Sequence, residues 1–239
     1  MQEPGTAQRS GQDRGFRGVI TDWGGVMTNP IPATVRAWLD AEDIDVDSYA
    51  AVIRPWIVAA YDPAGATFDA ANGTNPIHEL ERGECTTEEF EHLLASLLVC
   101  RDGSPVSAEG LLTRMFAASV PCDPMYGAMY TARGAGLRTG LLSNSWGVSD
   151  YPRHLFGDLF DAVVISAEVG MRKPEERIFL HAAGLLGLPP GECVFIDDVE
   201  ANITAAEAVG MTAILHTEPE ATITRLHDLL GLPGGPAGG

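Results

Sequence analysis

The sequence predicts an α/β fold: a doubly wound parallel sheet, Rossmann-like in its core, with a block of helices inserted after the first strand. Three observations predict it. Short, mostly apolar runs recur along the chain, each ending in polar or charged residues. Amphipathic stretches lie between them. From about residue 30 to 118 that alternation stops and only helical patterns remain. Apolar runs of this length suit strands buried on both faces of a parallel sheet, and strand–helix alternation is the pattern of a doubly wound core.

In chain order, residues 1–15 are polar and Gly-rich and read as a disordered tail. The first strand covers 16–21 and runs into Asp22. Helical spacing of apolar residues then marks 31–40, 46–61, 86–99 and 108–118, and Thr86-Thr87-Glu88-Glu89 reads as a capping box. The remaining strands fall at 137–143, 162–166, 193–196 and 212–215, and the remaining helices at about 123–135, 174–186, 200–209 and 219–230. Residues 231–239, nearly all Gly, Pro and Ala, read as a second disordered tail. The expected division is a core domain of 16–29 and 119–230 with a helical cap domain of 30–118.

Composition narrows the function. Thirty-three Asp and Glu against 15 Lys and Arg give a net charge of -18, which opposes general binding to nucleic acid or an anionic membrane. A hydrophobic fraction of 45% is too high for a disordered acidic chain, and no apolar run approaches the roughly 18 residues of a membrane span. Cys85, Cys100, Cys122 and Cys193 are scattered without a C-x-x-C pair, which argues for reduced thiols and against a zinc site. The six histidines show no ligand spacing either. With no apolar signal-peptide segment at the start, the expected location is the cytoplasm. The N-x-[ST] triplets at Asn72 and Asn202 are then not glycosylation sites. No sequence feature sets an oligomeric state.

Ligands of open α/β sheets bind beyond the carboxyl ends of the strands. Asp22-Trp23-Gly24-Gly25 follows the first strand and Ser143-Asn144-Ser145-Trp146 the second. The loop Glu168 to Glu175, with Arg172 and Lys173, follows the third. Asp197-Asp198 follows the fourth, with Asn202 one helical turn beyond. Each has an ordinary explanation alone: a turn aspartate, a loop hydroxyl, a solvated lysine, a helix cap. In this order, after strands, they form one constellation.

That constellation resembles the haloacid dehalogenase-like hydrolase superfamily over about residues 16–220. Within it, the chain is most similar to the N-terminal phosphatase domain of soluble epoxide hydrolase and its bacterial relatives. Leu142 to Trp146, Val169 to Glu175, Phe195 to Asp198 with Asn202, and Gly210-Met211 carry the resemblance, as does Leu80-Glu81-Arg82-Gly83-Glu84 in the helical block. The resemblance implies an Mg²⁺-dependent phosphatase acting on a small phosphorylated molecule. In it Asp22 is the nucleophile, and Ser143 with Asn144 binds the phosphoryl group. Lys173 neutralises charge on nucleophile and phosphate. Asp22, the Gly24 carbonyl and Asp198 are the metal ligands, supported by Asp197 and Asn202. The chemistry agrees, since an aspartate attacking a phosphate needs its charge repulsion cancelled. Hard oxygen donors without His or Cys favour Mg²⁺ over zinc.

One departure matters. Family phosphatases carry a second Asp two residues after the nucleophile, as a proton donor and later a base; here that position is Gly24. Three outcomes stay open: another acid such as Glu168 or a cap residue, a preference for good leaving groups, or slow turnover by a phospho-ligand sensor. A metal-independent 2-haloacid dehalogenase also lacks the second Asp. Without a cation, however, Asp22, Asp197 and Asp198 would raise one another's pKa and weaken the nucleophile. Trp23 and Trp146 read either as pocket walls or as packing, and Arg172 as site charge or solvated surface. Trp38, Trp56, Tyr61 and Phe68 are expected mainly to hold the helical block together.

Overall fold

A computed structural model describes residues 15–61, 75–147 and 151–232. Five parallel strands form one sheet: β1 (Gly18–Thr21), β2 (Arg138–Ser143), β3 (Ala162–Ile165), β4 (Cys193–Asp197) and β5 (Thr212–Leu215). Their order is β3-β2-β1-β4-β5, so β1 is central. Val19 pairs with Thr139 of β2 on one side and Val194 of β4 on the other. This register brings the carboxyl ends of three strands to one edge, where Asp22, Ser143 and Asp197 meet. The expected α/β class and parallel sheet are what the chain adopts.

Side chains alternate across each strand, and the two faces gather separate apolar clusters. Val19, Leu141, Val194 and Ile196 pack under α6 (Asp123–Gly134), α7 (Arg153–Leu159) and α11 (Pro219–Leu230). Ile20, Leu142, Val164 and Phe195 pack under α9 (Glu176–Leu185) and α10 (Glu200–Ala208). A helix on each face is why these strands read as continuous apolar runs.

The interval after β1 holds α1 (Ile31–Ala41), α2 (Val46–Tyr61), α3 (Pro76–Arg82), α4 (Thr87–Leu97) and α5 (Leu111–Met115). Among the described residues there it contains isolated bridges but no named strand. Trp38, Ile53, Trp56, Leu80, Phe90, Leu94 and Leu111 belong to a third apolar cluster, which gathers this block on itself. The capping box at Thr86 is formed, with the Thr86 hydroxyl accepting from Glu89 N–H and Glu89 accepting from Thr86 N–H.

Several boundaries differ from expectation. The predicted helix 108–118 shrinks to five residues. Gly110 precedes it in the left-handed region at φ 62°. Beyond it, Val120 turns to Asn29: Asn29 N–H donates to the Val120 carbonyl at 3.0 Å, and Val120 N–H to the Asn29 side chain at 2.9 Å. Before that pairing the chain leaves the helix through tight turns, with Ala117 N–H donating to the Arg114 carbonyl and Ser119 N–H to the Phe116 carbonyl. Ser166 ends no strand but begins α8 (Ser166–Val169). Gly231 is not tail but the left-handed cap of α11, at φ 64°. Of the expected tails, residues 1–14 and 233–239 fall outside the described residues, as do Phe68 and Asn72. No described helix is long and apolar enough to cross a membrane.

Candidate active site

Asp22 stands just beyond the central strand, its N–H donating to the Ile196 carbonyl at 2.8 Å. Its Oδ1 accepts from Lys173 Nζ at 2.7 Å and from Trp23 N–H at 2.7 Å. The Lys173 side chain is 1% exposed and also donates to Asp197 Oδ2 at 2.7 Å. Asp197 is fully buried and accepts further bonds from Asn202 Nδ2 at 3.0 and 3.1 Å and from Val199 N–H at 2.8 Å. The ammonium is thus clamped between two carboxylates, the second of which is saturated by the turn entering α10.

Asp198 completes the cluster: one carboxylate oxygen from each of Asp22, Asp197 and Asp198 lies within 4.8 Å of the others. Burial pushes Asp22 up to about 8; Lys173 pulls it down, and the charges of Asp197 and Asp198 push it further up. Burial, reinforced by Asp197, likewise raises Asp198 to about 6. Burial would depress Lys173, but the charges of Asp197 and Asp22 override it and hold the ammonium well above its usual range. When all three carboxylates are ionised, the one ammonium leaves two negative charges uncompensated, the charge of one divalent cation. The donors are all hard oxygens, and buried Asn202 Oδ1 has no partner among the described residues. The set fits a hard divalent cation such as Mg²⁺.

The glycine loop is shaped to this cluster. Gly25 sits at φ 79°, and a Cβ there would collide with the Asp198 carboxylate. Gly24 is not in the left-handed region. A Cβ on it would meet Ile31 Cδ1 of α1 at 3.1 Å. An isoleucine borders the place where the family's acid would project.

A cavity of 770 Å³ opens beside the carboxylates. Asp22, Gly24, Ser143, Lys173, Asp198 and Asn202 all line it. Its far wall is largely apolar, with Ile31, Val35, Ile57, Met115, Phe116 and Trp146. Ser143 Oγ lies 2.9 Å from the Tyr151 hydroxyl, and Tyr151 lines the cavity too.

The predicted residues mostly converge, with changes of detail. The Asn144 side chain bonds the Lys173 backbone, accepting its N–H at 2.8 Å and donating to its carbonyl at 3.0 Å. It clamps the lysine loop, so any contact from Asn144 to phosphate would come from its backbone. Arg172 is not solvated: it is 3% exposed, paired with buried Glu81 of α3, and lies over the Tyr61 ring. Tyr61 also donates to Glu81 at 2.8 Å and lines the cavity, unlike Trp38 and Trp56, which are core. Trp23 and Trp146 both line the cavity and pack against aromatic neighbours. Glu168 does not line the cavity; it is exposed and paired with Arg153. Sequence reasoning missed Tyr151 and Ile31 as cavity residues. Neither carries a local pattern, since each reaches the site only through the fold.

A model of the haloacid dehalogenase-like hydrolase family matches residues 16–210. Acyl-CoA dehydrogenase family member 10 of Mus musculus is 30% identical over 227 residues, 92% of this chain and 20% of that protein. A sesquiterpene phosphatase of Aspergillus oryzae is 29% identical over 158 residues, 64% of this chain and 78% of that protein. Bifunctional epoxide hydrolase 2 of Rattus norvegicus is 26% identical over 172 residues, 65% of this chain and 31% of that protein. The chain therefore spans only a minor part of the mouse and rat proteins. Among solved structures, an enzyme of the same family from Bacteroides thetaiotaomicron, in complex with magnesium and inorganic phosphate, matches the fold with TM-score 0.55 at 21% identity, covering 85% of this chain and 95% of its own. With a family match across most of its length and a five-stranded parallel sheet to carry it, the chain belongs to the haloacid dehalogenase-like hydrolases.

Proposed function

We propose that this hydrolase is an Mg²⁺-dependent phosphatase acting through an aspartyl-phosphate on Asp22. The observation that carries the proposal is the buried Asp22–Lys173–Asp197 chain beside Asp198, three carboxylates to one ammonium, at a cavity that also holds Ser143. Asp22, Asp198 and the Gly24 carbonyl would hold the metal, with Asp197 and Asn202 behind them. Bound there, Mg²⁺ supplies positive charge against the carboxylates and the phosphoryl oxygens. Asp22 attacks phosphorus and the bond to the leaving oxygen breaks. Water then attacks the phosphorus of the acyl phosphate, releasing inorganic phosphate and restoring Asp22. Lys173 stays protonated throughout and offsets charge on Asp22 and the phosphoryl group, while Ser143 donates to a phosphoryl oxygen. The crystallised relative with magnesium and phosphate, and the relative named a phosphatase, support this chemistry.

The helices of 30–118 would act as the cap on a core of 16–29 and 119–230, since Ile31, Val35, Ile57 and Phe116 supply much of the apolar wall. That wall favours a phosphate ester whose organic part is apolar, and the sesquiterpene phosphatase among the relatives supports the same class. Gly24 with Ile31 favours a second reading, a slow enzyme serving as a phospho-ligand sensor. The test is hydrolysis of an aryl phosphate with Mg²⁺, with chelator, and in Asp22→Asn. Turnover that needs both Mg²⁺ and Asp22 supports the proposal. Turnover that survives either loss overturns it, and halide release from a 2-haloacid without metal would favour dehalogenation. Phosphate binding without measurable turnover would favour the sensor.

A further inference from the structure

Ser143 does not reach the cavity alone. Its Oγ lies 2.9 Å from the Tyr151 hydroxyl, and both residues line the cavity with Asp22 and Lys173. The Tyr151 ring is held by two aromatic neighbours, Trp23 at 5.7 Å and Phe156 at 6.2 Å between centroids. Trp23 follows Asp22 directly, so the same clamp ties the tyrosine to the loop of the nucleophile. Each hydroxyl has one proton to donate and room to accept. Their mutual bond uses one proton and leaves one for the cavity.

We infer that Tyr151 is a positioning residue for phosphate: it donates to Ser143 Oγ and so directs the Ser143 proton at a phosphoryl oxygen. The phenol is the more acidic hydroxyl and the natural donor of the pair. Burial raises its pKa to about 12, so it keeps its proton at any working pH. With Ser143 Oγ already accepting from Tyr151, its own proton is free to meet an anion, and a hydroxyl that accepts one bond donates another more strongly. No bond is made or broken at Tyr151. Without the phenol, the Ser143 hydroxyl is free to rotate, and the anion must order it on binding.

The inference rests on the phosphatase proposal, and the test separates the two. Inorganic phosphate is titrated into the 239-residue chain with Mg²⁺, for wild type, Tyr151→Phe, Ser143→Ala and the double variant. Tyr151→Phe keeps the ring against Trp23. It is expected to weaken phosphate binding roughly fivefold, the scale of one neutral hydrogen bond. Mg²⁺ affinity, measured separately, is expected to stay at the wild-type value, which a general structural defect would not allow. Ser143→Ala should lose at least as much, and adding Tyr151→Phe to it should cost almost nothing, because the tyrosine acts through the serine. Wild-type phosphate affinity in Tyr151→Phe, additive losses in the double variant, or a parallel loss of Mg²⁺ binding would each overturn the positioning role. A wild type that binds Mg²⁺ but no phosphate would overturn the phosphatase proposal and this role with it.

Discussion

Gly24 and Ile31 define the site as much as its charged residues do. Position 24 offers no proton to a leaving group, and Ile31 Cδ1 sits 3.1 Å from where its Cβ would be. Gly24→Asp alone should therefore be hindered by the isoleucine. Gly24→Asp with Ile31→Ala should raise turnover by up to about a hundredfold, the lower range of general acid catalysis, and most for poor leaving groups. Rates across a series of aryl and alkyl phosphates check this; an equal change for every leaving group would contradict it. The carboxylates also make the metal-free fold sensitive to pH. Burial pushes Asp22 up to about 8 and Asp198 up to about 6 from the ordinary aspartate value of 3.8. Between those values the folded chain holds protons that the unfolded chain has released, so the stability these two groups contribute is fully present below about pH 4 and is lost as pH rises toward 8. Denaturation of metal-free protein across that range should show the decline, and Asp22→Asn should flatten it. The same pH dependence in wild type and Asp22→Asn would contradict the assignment.

At the scale of elements, α3 is tied to the loop that carries Lys173. Glu81 and Arg172 form a buried pair, Tyr61 adds a bond to Glu81, and Arg82 Nε meets Glu175 at 2.7 Å nearby. Removing one partner of a buried pair leaves the other charge stranded and costs about 3–5 kcal/mol. Urea denaturation of Glu81→Ala should show a loss of that size, and kcat should fall with it as the lysine loop loosens; a loss below about 1 kcal/mol would mean that water replaces the bond. These links also show what the sequence could carry. The strands, the long helices and the capping box at Thr86 were legible because apolar period and capping chemistry are local signals. Asp22, Lys173, Asp197 and Asp198 were legible because each directly follows a strand or lies in the loop between a strand and a helix. The Glu81–Arg172 pair, the Asn144 clamp and the Tyr151–Ser143 bond join residues through the fold or through an irregular loop, and no spacing marks them. The predicted helix 108–118 shortened because Gly110 takes a left-handed conformation at one end and Ala117 and Ser119 close tight turns on Arg114 and Phe116 at the other, neither of which apolar spacing marks.

For the whole molecule, the net charge of -18 opposes the approach of any phosphate, while Lys173 and the metal would reverse the field only at the site. Salt should therefore help. KM for a dianionic aryl phosphate is expected to fall modestly between 20 mM and 200 mM salt, as the Debye length shrinks to about 8 Å and the surface acids are screened. A KM that rises with salt would mean that local positive charge governs encounter instead. The phosphatase proposal itself is tested most directly by single turnover. The enzyme is mixed with an aryl phosphate and Mg²⁺, quenched in acid within milliseconds to seconds, and the peptide carrying Asp22 is weighed by mass spectrometry. One phosphoryl group should appear on Asp22 and then disappear as inorganic phosphate is released, with none when chelator replaces Mg²⁺. Phosphate released with Asp22 never modified, or a phosphoryl group trapped on another residue, would contradict nucleophilic catalysis by Asp22.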